Sequence, residues 1–271
     1  MNKHPAFSLI TIIAFYVGVT TPSRADLLTG LLFDSPLNGN FSDVSGNGFN
    51  GINFGATSTT DRFGTVNSAY RFDGIDDHAT FSISSLPSAA SPRTLSLWLK
   101  PEFIGQRSFN EHFVGYGSYP TGQAFGFAIG SDPLAGHNGR LFGYLGFDDV
   151  YTPYFVTGDW VFVTHTYDGS VARVYIDGTL LGERIITLTT QGDPFLTIGA
   201  RYASESGGQF LDHYKGVIDD VRLWNRSLSQ SEILEAYAAP EPSSIALILL
   251  GAGLCKRRRT LRSRVSPESL H

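Results

Sequence analysis

Acidic residues offer this chain its best chance of acid–base chemistry, and many of them occur as adjacent aspartate pairs. In a strand, neighbouring side chains point to opposite faces, so adjacent carboxylates are badly placed for one shared reaction. A glycosidase needs two carboxyl groups about 5 to 9 Å apart across its sugar. The pairs are Asp76-Asp77, Asp148-Asp149 and Asp219-Asp220, and the glutamates in predicted loops or turns are Glu102, Glu111, Glu183 and Glu205. We therefore predict no catalytic pair.

Nucleophilic catalysis finds no better support in the sequence. His165 lies in the alternating run Val163-Thr164-His165-Thr166, where a histidine packed within a sheet is expected. Motifs of the GxSxG, HExxH and phosphate-loop types do not occur. We predict that the protein is not an enzyme. The alternative is a glycoside hydrolase or lyase acting on polysaccharide.

Aromatic residues offer a different chemistry, because exposed rings stack on the apolar faces of sugars. Three predicted loops mix aromatic, small and acidic residues: Gly115 to Pro120, Phe147 to Phe155 and Arg201 to Gln209. A tyrosine in such a loop also serves as packing at the rim of a sandwich. The candidate sugar-binding residues are Tyr119, Tyr151, Tyr154 and Tyr202.

Short alternating runs separated by turn residues must position these side chains, and that pattern is typical of an antiparallel β-sandwich. No helix–strand alternation appears, which excludes Rossmann and TIM architectures. The predicted strands are Leu28 to Phe33, Ala69 to Asp73, Ala79 to Ile83, Thr94 to Lys100, Phe125 to Ile129, Trp160 to Tyr167, Ala172 to Ile176, Phe195 to Gly199 and Gly216 to Trp224.

Three local patterns sharpen this prediction. In Thr94 to Lys100 the three leucines share one face, which should be core. Asp177-Gly178 suits a type I′ hairpin, because both positions tolerate positive φ. Gln230 to Tyr237 is the one credible helix of the domain, with Ser229 and Glu232 forming a capping box.

Ordered landmarks along the chain resemble a laminin G-like, concanavalin A-like jelly roll. They include Asp43 to Gly51, Tyr70 to Asp77, Asp159 to Val161 and Ile218 to Asn225. The resemblance implies an all-β antiparallel sandwich over nearly the whole domain. It leaves the activity open, because lectin-like modules, adhesion modules and glycosidases share this sandwich.

The resemblance also implies a metal expectation, since related sandwiches often hold one calcium where their first and last strands meet. Asp34, Asp43 and Asn47 crowd an N-terminal loop, and Asp219 lies on the last long strand. Carboxylate and amide oxygens are calcium ligands. The same residues also suit turns and hydrogen bonds to amides. One structural Ca²⁺ at these four residues is therefore an expectation, and no other cofactor is.

Charge narrows the class of partner. Outside the two terminal segments described next, the chain has 12 basic and 23 acidic residues, a formal charge of about −11. Nucleic acid is therefore not an expected partner. The only cysteine, Cys255, lies in the tail, so the domain contains no disulfide.

The N-terminus is typical of a secretory signal peptide. Lys3 precedes an apolar stretch from Phe7 to Val19, and Ser23-Arg24-Ala25 forms a small-x-small cleavage site. We assign residues 1–25 to the signal peptide and residues 26–238 to the jelly-roll domain.

The C-terminus combines three features: Pro240-Glu241-Pro242, an apolar run from Ile245 to Leu254 that predicts a short hydrophobic helix, and the basic residues Arg257, Arg258 and Arg259. This order resembles the PEP-CTERM sorting signal of Gram-negative bacteria, which exosortase processes. Ser243 to Cys255 spans about 13 residues, fewer than the roughly 20 of an upright membrane span. A permanent anchor is the alternative.

These boundaries place a sorting signal at residues 239–264 and a tail at 265–271. Both ends predict export through the inner membrane, with transient membrane contact through the tail. We expect a binding or structural module of the cell envelope or extracellular matrix. Its expected partners are an exosortase-type enzyme and an extracellular polysaccharide or envelope protein.

Overall fold

The computed structural model describes residues 24–102, 109–118, 122–131, 136–191 and 195–239. These residues form two antiparallel sheets packed face to face, together with a small hairpin. The strands are β1 Leu31–Ser35, β2 Gly51–Phe54, β3 Thr57–Thr59, β4 Ala69–Asp73, β5 His78–Phe81, β6 Arg93–Pro101, β7 Glu111–Gly117, β8 Ala124–Ile129, β9 Arg140–Tyr144, β10 Val150–Phe155, β11 Val161–Tyr167, β12 Val171–Ile176, β13 Thr179–Ile185, β14 Leu196–Ile198, β15 Arg201–Ala203, β16 Gln209–Leu211 and β17 Lys215–Trp224.

The strand order confirms a jelly-roll sandwich. The eight-stranded sheet runs β13-β12-β11-β6-β17-β4-β3, with β1 paired to β17, and the seven-stranded sheet runs β10-β9-β8-β7-β14-β5-β2. The first strand and the last long strand are therefore neighbours, with Asp34 opposite Arg222. This pairing was expected, and it brings residues from both ends of the domain to one surface.

The core lies between the sheets and confirms the predicted leucine face of β6. Leu95, Leu97 and Leu99 are fully buried there. The opposite face of β6 is also covered, because Trp98 packs with residues of a C-terminal helix in a second apolar cluster. The sequence pattern identified the core face correctly. It did not show that the other face of this strand is covered as well.

That helix, α2 (Gln230–Ala238), agrees with the prediction to within one residue. Ser229 and Glu232 form the predicted capping box, in which each residue's side chain accepts a hydrogen bond from the other's backbone amide. Reciprocal capping satisfies amides that a helix start leaves without partners. The Asp177-Gly178 turn is likewise confirmed, with φ values of 48° and 75°.

A second helix, α1 (Arg24–Leu28), includes Leu28, where the sequence predicted the start of a strand. Gly30, with φ of 72°, ends this turn of helix in a left-handed conformation. The Trp224 indole nitrogen donates to the Leu27 carbonyl at 2.7 Å. β1 therefore starts at Leu31 rather than Leu28. Among the described residues, no helix has the length and apolar character to cross a membrane.

Candidate functional site

The outer face of the seven-stranded sheet carries a groove that we call the glycine groove. It lies on the side away from the core, because Phe142 and Tyr144 of β9 pack in a cluster separate from the core residues of the same strands. Its lining residues are His112, Val114, Gly115, Tyr116, Gly117, Tyr144, Thr197, Ala200, Arg201 and Tyr202. Among the predicted tyrosines that the structure describes, Tyr202 is thus the one in this groove.

A row of paired residues that includes two glycines crosses the sheet at the groove, and Gly115 lines the groove itself. Thr197 of β14 pairs with Gly115 of β7, Gly115 pairs with Gly126 of β8, and Gly126 pairs with Tyr144 of β9. A Cβ atom on Gly126 would lie 2.4 Å from the Val114 carbonyl oxygen. The middle of this row therefore excludes side chains. Its backbone is left as a floor between Thr197 and Tyr144.

The space inside the groove is small. Its volume of about 10 Å³ is enough for roughly one water molecule. A larger ligand would therefore stay outside the groove and contact partly exposed side chains such as Tyr202, while a single hydroxyl group could enter.

One end of the groove is charged. Arg201 forms ion pairs with Asp212, at 2.9 Å, and with Glu205. Burial by itself lowers the pKa of Arg201, but hydrogen bonds to Glu205 and Asp212 outweigh burial and raise it, so the guanidinium stays charged. Burial, together with the nearby Arg201, lowers the pKa of His112 to about 3. His112 is therefore neutral at physiological pH, and its 3.9 Å approach to Asp212 is not a charged pair.

From Tyr202 a line of rings crosses the same face to the edge strand β2, and we call it the aromatic row: Tyr202, Phe210, His78 and Phe54. Phe210 stacks on His78 at 3.9 Å between ring centroids, and His78 stacks on Phe54 at 4.6 Å. Tyr202 meets Phe210 at 5.4 Å. Phe54 is 44% exposed and Tyr202 is partly exposed. The row is a fixed apolar platform with accessible rings at both ends.

The comparisons with known proteins bear on this surface. Residues 73–234 match the family model Laminin_G_3, described as the concanavalin A-like lectin/glucanases superfamily. The chain belongs to this superfamily. No curated protein matches the sequence of this concanavalin A-like chain.

Solved structures share the fold at low sequence identity. Domain 4 of AbnA, a GH43 extracellular arabinanase from Geobacillus stearothermophilus solved with arabinotriose, has a TM-score of 0.57 and 19% identity, covering 77% of this chain and 98% of that one. The binding domain of Paraclostridial Mosquitocidal Protein 1 has a TM-score of 0.62 and 14% identity, covering 78% and 52%.

The binding domain of botulinum neurotoxin DC, solved in complex with SialylT, has a TM-score of 0.59 and 12% identity, covering 78% of this chain and 51% of that one. The concanavalin A-like chain thus spans about half the length of the toxin binding domains that it resembles. At these identities the likeness shows the fold.

Two other predicted tyrosines of this concanavalin A-like domain do not share a surface. The stretch containing Tyr151 and Tyr154 was predicted as a loop, but Val150–Phe155 is strand β10. Residues three apart in a strand face opposite ways. Tyr151 is 38% exposed and stacks on His137, whereas Tyr154 packs partly buried against the core. Tyr119 lies outside the described residues.

The predicted calcium ligands are engaged elsewhere. Asp34 pairs with Arg222 at 3.2 Å, and Asp219, fully buried, pairs with Arg62 at 2.8 Å. Asp43 accepts hydrogen bonds from the amides of Asp34, Ser45 and Phe49, and Asn47 donates to the Leu32 carbonyl. These contacts hold the N-terminal loop onto β1. The four predicted ligands do not fit a calcium ion, because arginine guanidinium groups pair with the carboxylates of Asp34 and Asp219.

A different group of acids is brought together by the fold. Among the described residues, Asp73, Asp76 and Asp77 are the three acids whose oxygens lie within 4.8 Å of one another. Asp73 accepts from the Ile75 amide at 2.8 Å, and Asp77 accepts from the Asp73 amide at 2.9 Å. These hydrogen bonds organise the turn between β4 and β5.

The remaining acids and His165 correct or confirm the sequence interpretation. His165 is fully buried, stacks on Phe125 and bonds to the Gly126 carbonyl, which confirms a packed histidine. Glu111, predicted in a loop, is instead the buried first residue of β7. Asp219 and Asp220 were expected to face opposite ways, but both bind Arg62, because Asp220 has φ of 51° next to a bulge in β17.

Proposed function

We propose that this protein is an exported, non-catalytic binding module of the bacterial cell envelope or extracellular matrix, and that its ligand is a polysaccharide. The observation that carries the proposal is the aromatic row beside the glycine groove. A line of fixed rings with accessible ends suits an extended sugar chain, because the partly exposed Phe54 and Tyr202 each offer apolar ring surface to a pyranose or furanose.

The chemistry of the groove adds polar selectivity to this platform. Arg201 stays charged and is held in place by two carboxylates, so it can donate hydrogen bonds to a hydroxyl or carboxylate of the ligand without first being ordered. Arg201 and Tyr202 both line the groove, and Tyr202 is also the first ring of the row. A sugar at this junction would contact both groups.

Two neighbours support a carbohydrate ligand by analogy. Domain 4 of AbnA was solved with arabinotriose, and a neurotoxin binding domain was solved with SialylT. The AbnA domain matches the present chain over 98% of its own length. The analogy supports the class of ligand and does not name the sugar.

A polysaccharide-cleaving enzyme is the weaker candidate. The two acids that form ion pairs with the groove residue Arg201 are Glu205 and Asp212. A glycosidase general acid needs a raised pKa and a position on one side of the scissile bond. Carboxylates committed to one guanidinium do not provide that pair.

We also propose that residues 1–25 are removed at export and that residues 239–264 are a PEP-CTERM signal for an exosortase-type enzyme in a Gram-negative bacterium. Support comes from the segment after Ala25. Arg226 donates to the Asp26 and Thr29 carbonyls, and Trp224 donates to that of Leu27. A chain beginning at Asp26 would therefore stay attached to the sandwich.

A glycan panel tests the binding proposal. The purified 26–239 protein is incubated with extracellular polysaccharides and their oligosaccharides, and both retention and product formation are measured. Retention without product supports the binding module. Turnover that disappears after substitution of Glu205 or Asp212 would establish the enzyme instead. Intact mass of the protein from its native host tests the processing, since an exported form that still carries Arg257 to Arg259 would contradict sorting.

A further inference from the structure

A second aromatic surface lies on the opposite sheet, at the C-terminal end of α2. We call it the aromatic cradle, a cavity of about 380 Å³. Its lining residues are Arg62, Phe63, Trp98, Trp160, Tyr237, Ala238 and Ala239. Two of the chain's three tryptophans therefore lie in this one cavity. The proposed polysaccharide site does not include it.

The rings of the cradle are held in place from below. Tyr237 stacks on Trp98 at 5.4 Å, and the Arg62 guanidinium lies 4.7 Å from the Trp98 ring and 4.5 Å from the Phe63 ring. Arg62 is itself fixed by ion pairs to Asp219 and Asp220. Phe63 remains 63% exposed and Tyr237 remains 37% exposed. The cavity is thus preformed, with accessible ring surface.

The last described residue points to the occupant. Ala239 ends α2 with φ of −64° and ψ of 126°, which is close to polyproline II geometry. It also lines the cradle. The next residues are Pro240-Glu241-Pro242, and prolines favour the continuation of this extended conformation. The extended backbone of Ala239 therefore lies at the wall of an aromatic cavity, immediately before a proline-rich motif.

We propose that Pro240-Glu241-Pro242 docks in the aromatic cradle. Aromatic grooves bind proline-rich polyproline II segments, because the segment is already extended and its rings present flat apolar surfaces. The segment is joined directly to Ala239, so its effective concentration at the cradle is in about the millimolar range or above. A weak contact is therefore enough to populate the docked state.

Docking would cover the sorting motif until the tail is drawn away. In the docked state a membrane enzyme could not bind Pro240-Glu241-Pro242. Insertion of the apolar run from Ile245 to Leu254 into a bilayer would therefore have to precede processing. This consequence rests on the proposed sorting function, whereas the docking does not. The test of docking therefore uses neither membrane nor enzyme.

The test uses fluorine NMR of the full chain labelled with 5-fluorotryptophan, whose three resonances are assigned from Trp98→Phe and Trp160→Phe. The double variant Pro240→Ser/Pro242→Ser should shift the Trp98 and Trp160 resonances more than that of Trp224, which lines a neighbouring cavity that also includes Ala239. The matched control is Pro267→Ser, which alters a proline of the same tail outside the motif and should shift none of them. No shift in the double variant, or an equal shift of all three resonances, would overturn the proposal.

A second variant tests docking from the side of the cradle. Phe63→Ala removes an exposed ring, so it spares the core and should weaken docking. On that background the proline substitutions should add less to the Trp160 shift than they do alone. Fully additive shifts would overturn the proposal. A glycan fragment that shifts Trp98 and Trp160 while the proline variants do not would also overturn it and would assign the cradle to sugar.

Discussion

On the eight-stranded sheet the outer face is covered by α2 and crossed by buried ion pairs from Arg62 to Asp219 and Asp220. On the seven-stranded sheet the outer face contains the paired glycines Gly115 and Gly126, and it carries a row of partly exposed rings. On the first face, the ion pairs and helix α2 hold the two ends of the domain together. On the second face, backbone and aromatic rings remain accessible to a ligand. We infer that one face serves integrity and the other serves binding of an extended ligand.

The largest expected effect is on the covered face. Arg62→Met should lower the free energy of unfolding by about 3–5 kcal/mol, because it leaves Asp219 and Asp220 buried without their main cation. The control is Arg184→Ala, whose partner Asp148 is exposed, and it should cost about 0–1 kcal/mol. Urea denaturation measures both. Similar losses in the two variants would break the contrast between the faces.

On the open face, Gly126→Ala should cost about 1–3 kcal/mol, because the new methyl group would lie 2.4 Å from the Val114 carbonyl oxygen. Gly115→Ala should cost less, since its nearest contact would be 3.1 Å away. The same urea measurement ranks the two variants. An unchanged midpoint for Gly126→Ala would show that the floor of the groove does not depend on glycine.

Asp149, which directly precedes β10, should make stability depend on pH. Burial raises the pKa of this carboxyl group to about 7, although the Leu145 amide and Arg184 oppose this shift. The folded state therefore holds a proton that the unfolded state releases near pH 4, so this contribution is fully present below pH 4 and is lost as pH rises through 7. Asp149→Asn should flatten the fall in Tm between pH 5 and pH 8. An identical fall in both proteins would contradict the assignment.

The smallest effect concerns metal ions. Asp34 and Asp219 are paired with arginines, so calcium and magnesium at equal millimolar concentration should raise Tm by similar small amounts, through screening of the acidic surface. A larger shift with calcium that disappears in Asp76→Ala would place a calcium site at the turn between β4 and β5. If the calcium-specific shift instead disappears in Asp43→Ala, the calcium site lies at the N-terminal loop, as expected from the sequence.

Much of the fold could be predicted because its signals are local. The leucines of β6, the capping box of Ser229 and Glu232, and the Asp177-Gly178 turn each depend on residues within a few positions of one another. The pairing of the first and last strands was expected only from the resemblance to known sandwiches.

The sites depend on register and long-range pairing, which composition does not show. Gly115 and Gly126 form a floor only because β7 and β8 align them. Arg62 lies 157 residues before the Asp219 with which it pairs. The local sequence pattern behind the calcium prediction could not show this ion pair. Tyr151 and Tyr154 looked like one aromatic patch until β10 placed them on opposite faces.

The contrast between the two faces is tested most directly with two exposed phenylalanines. Phe54 belongs to the aromatic row and Phe63 to the aromatic cradle, and their rings are 44% and 63% exposed. In a titration with the polysaccharide retained from the panel, Phe54→Ala and Tyr202→Ala should each weaken binding by about tenfold, or about 1.4 kcal/mol, while Phe63→Ala should leave it unchanged. Unchanged binding in Phe54→Ala and Tyr202→Ala, with loss in Phe63→Ala, would contradict the account and move the ligand to the eight-stranded sheet.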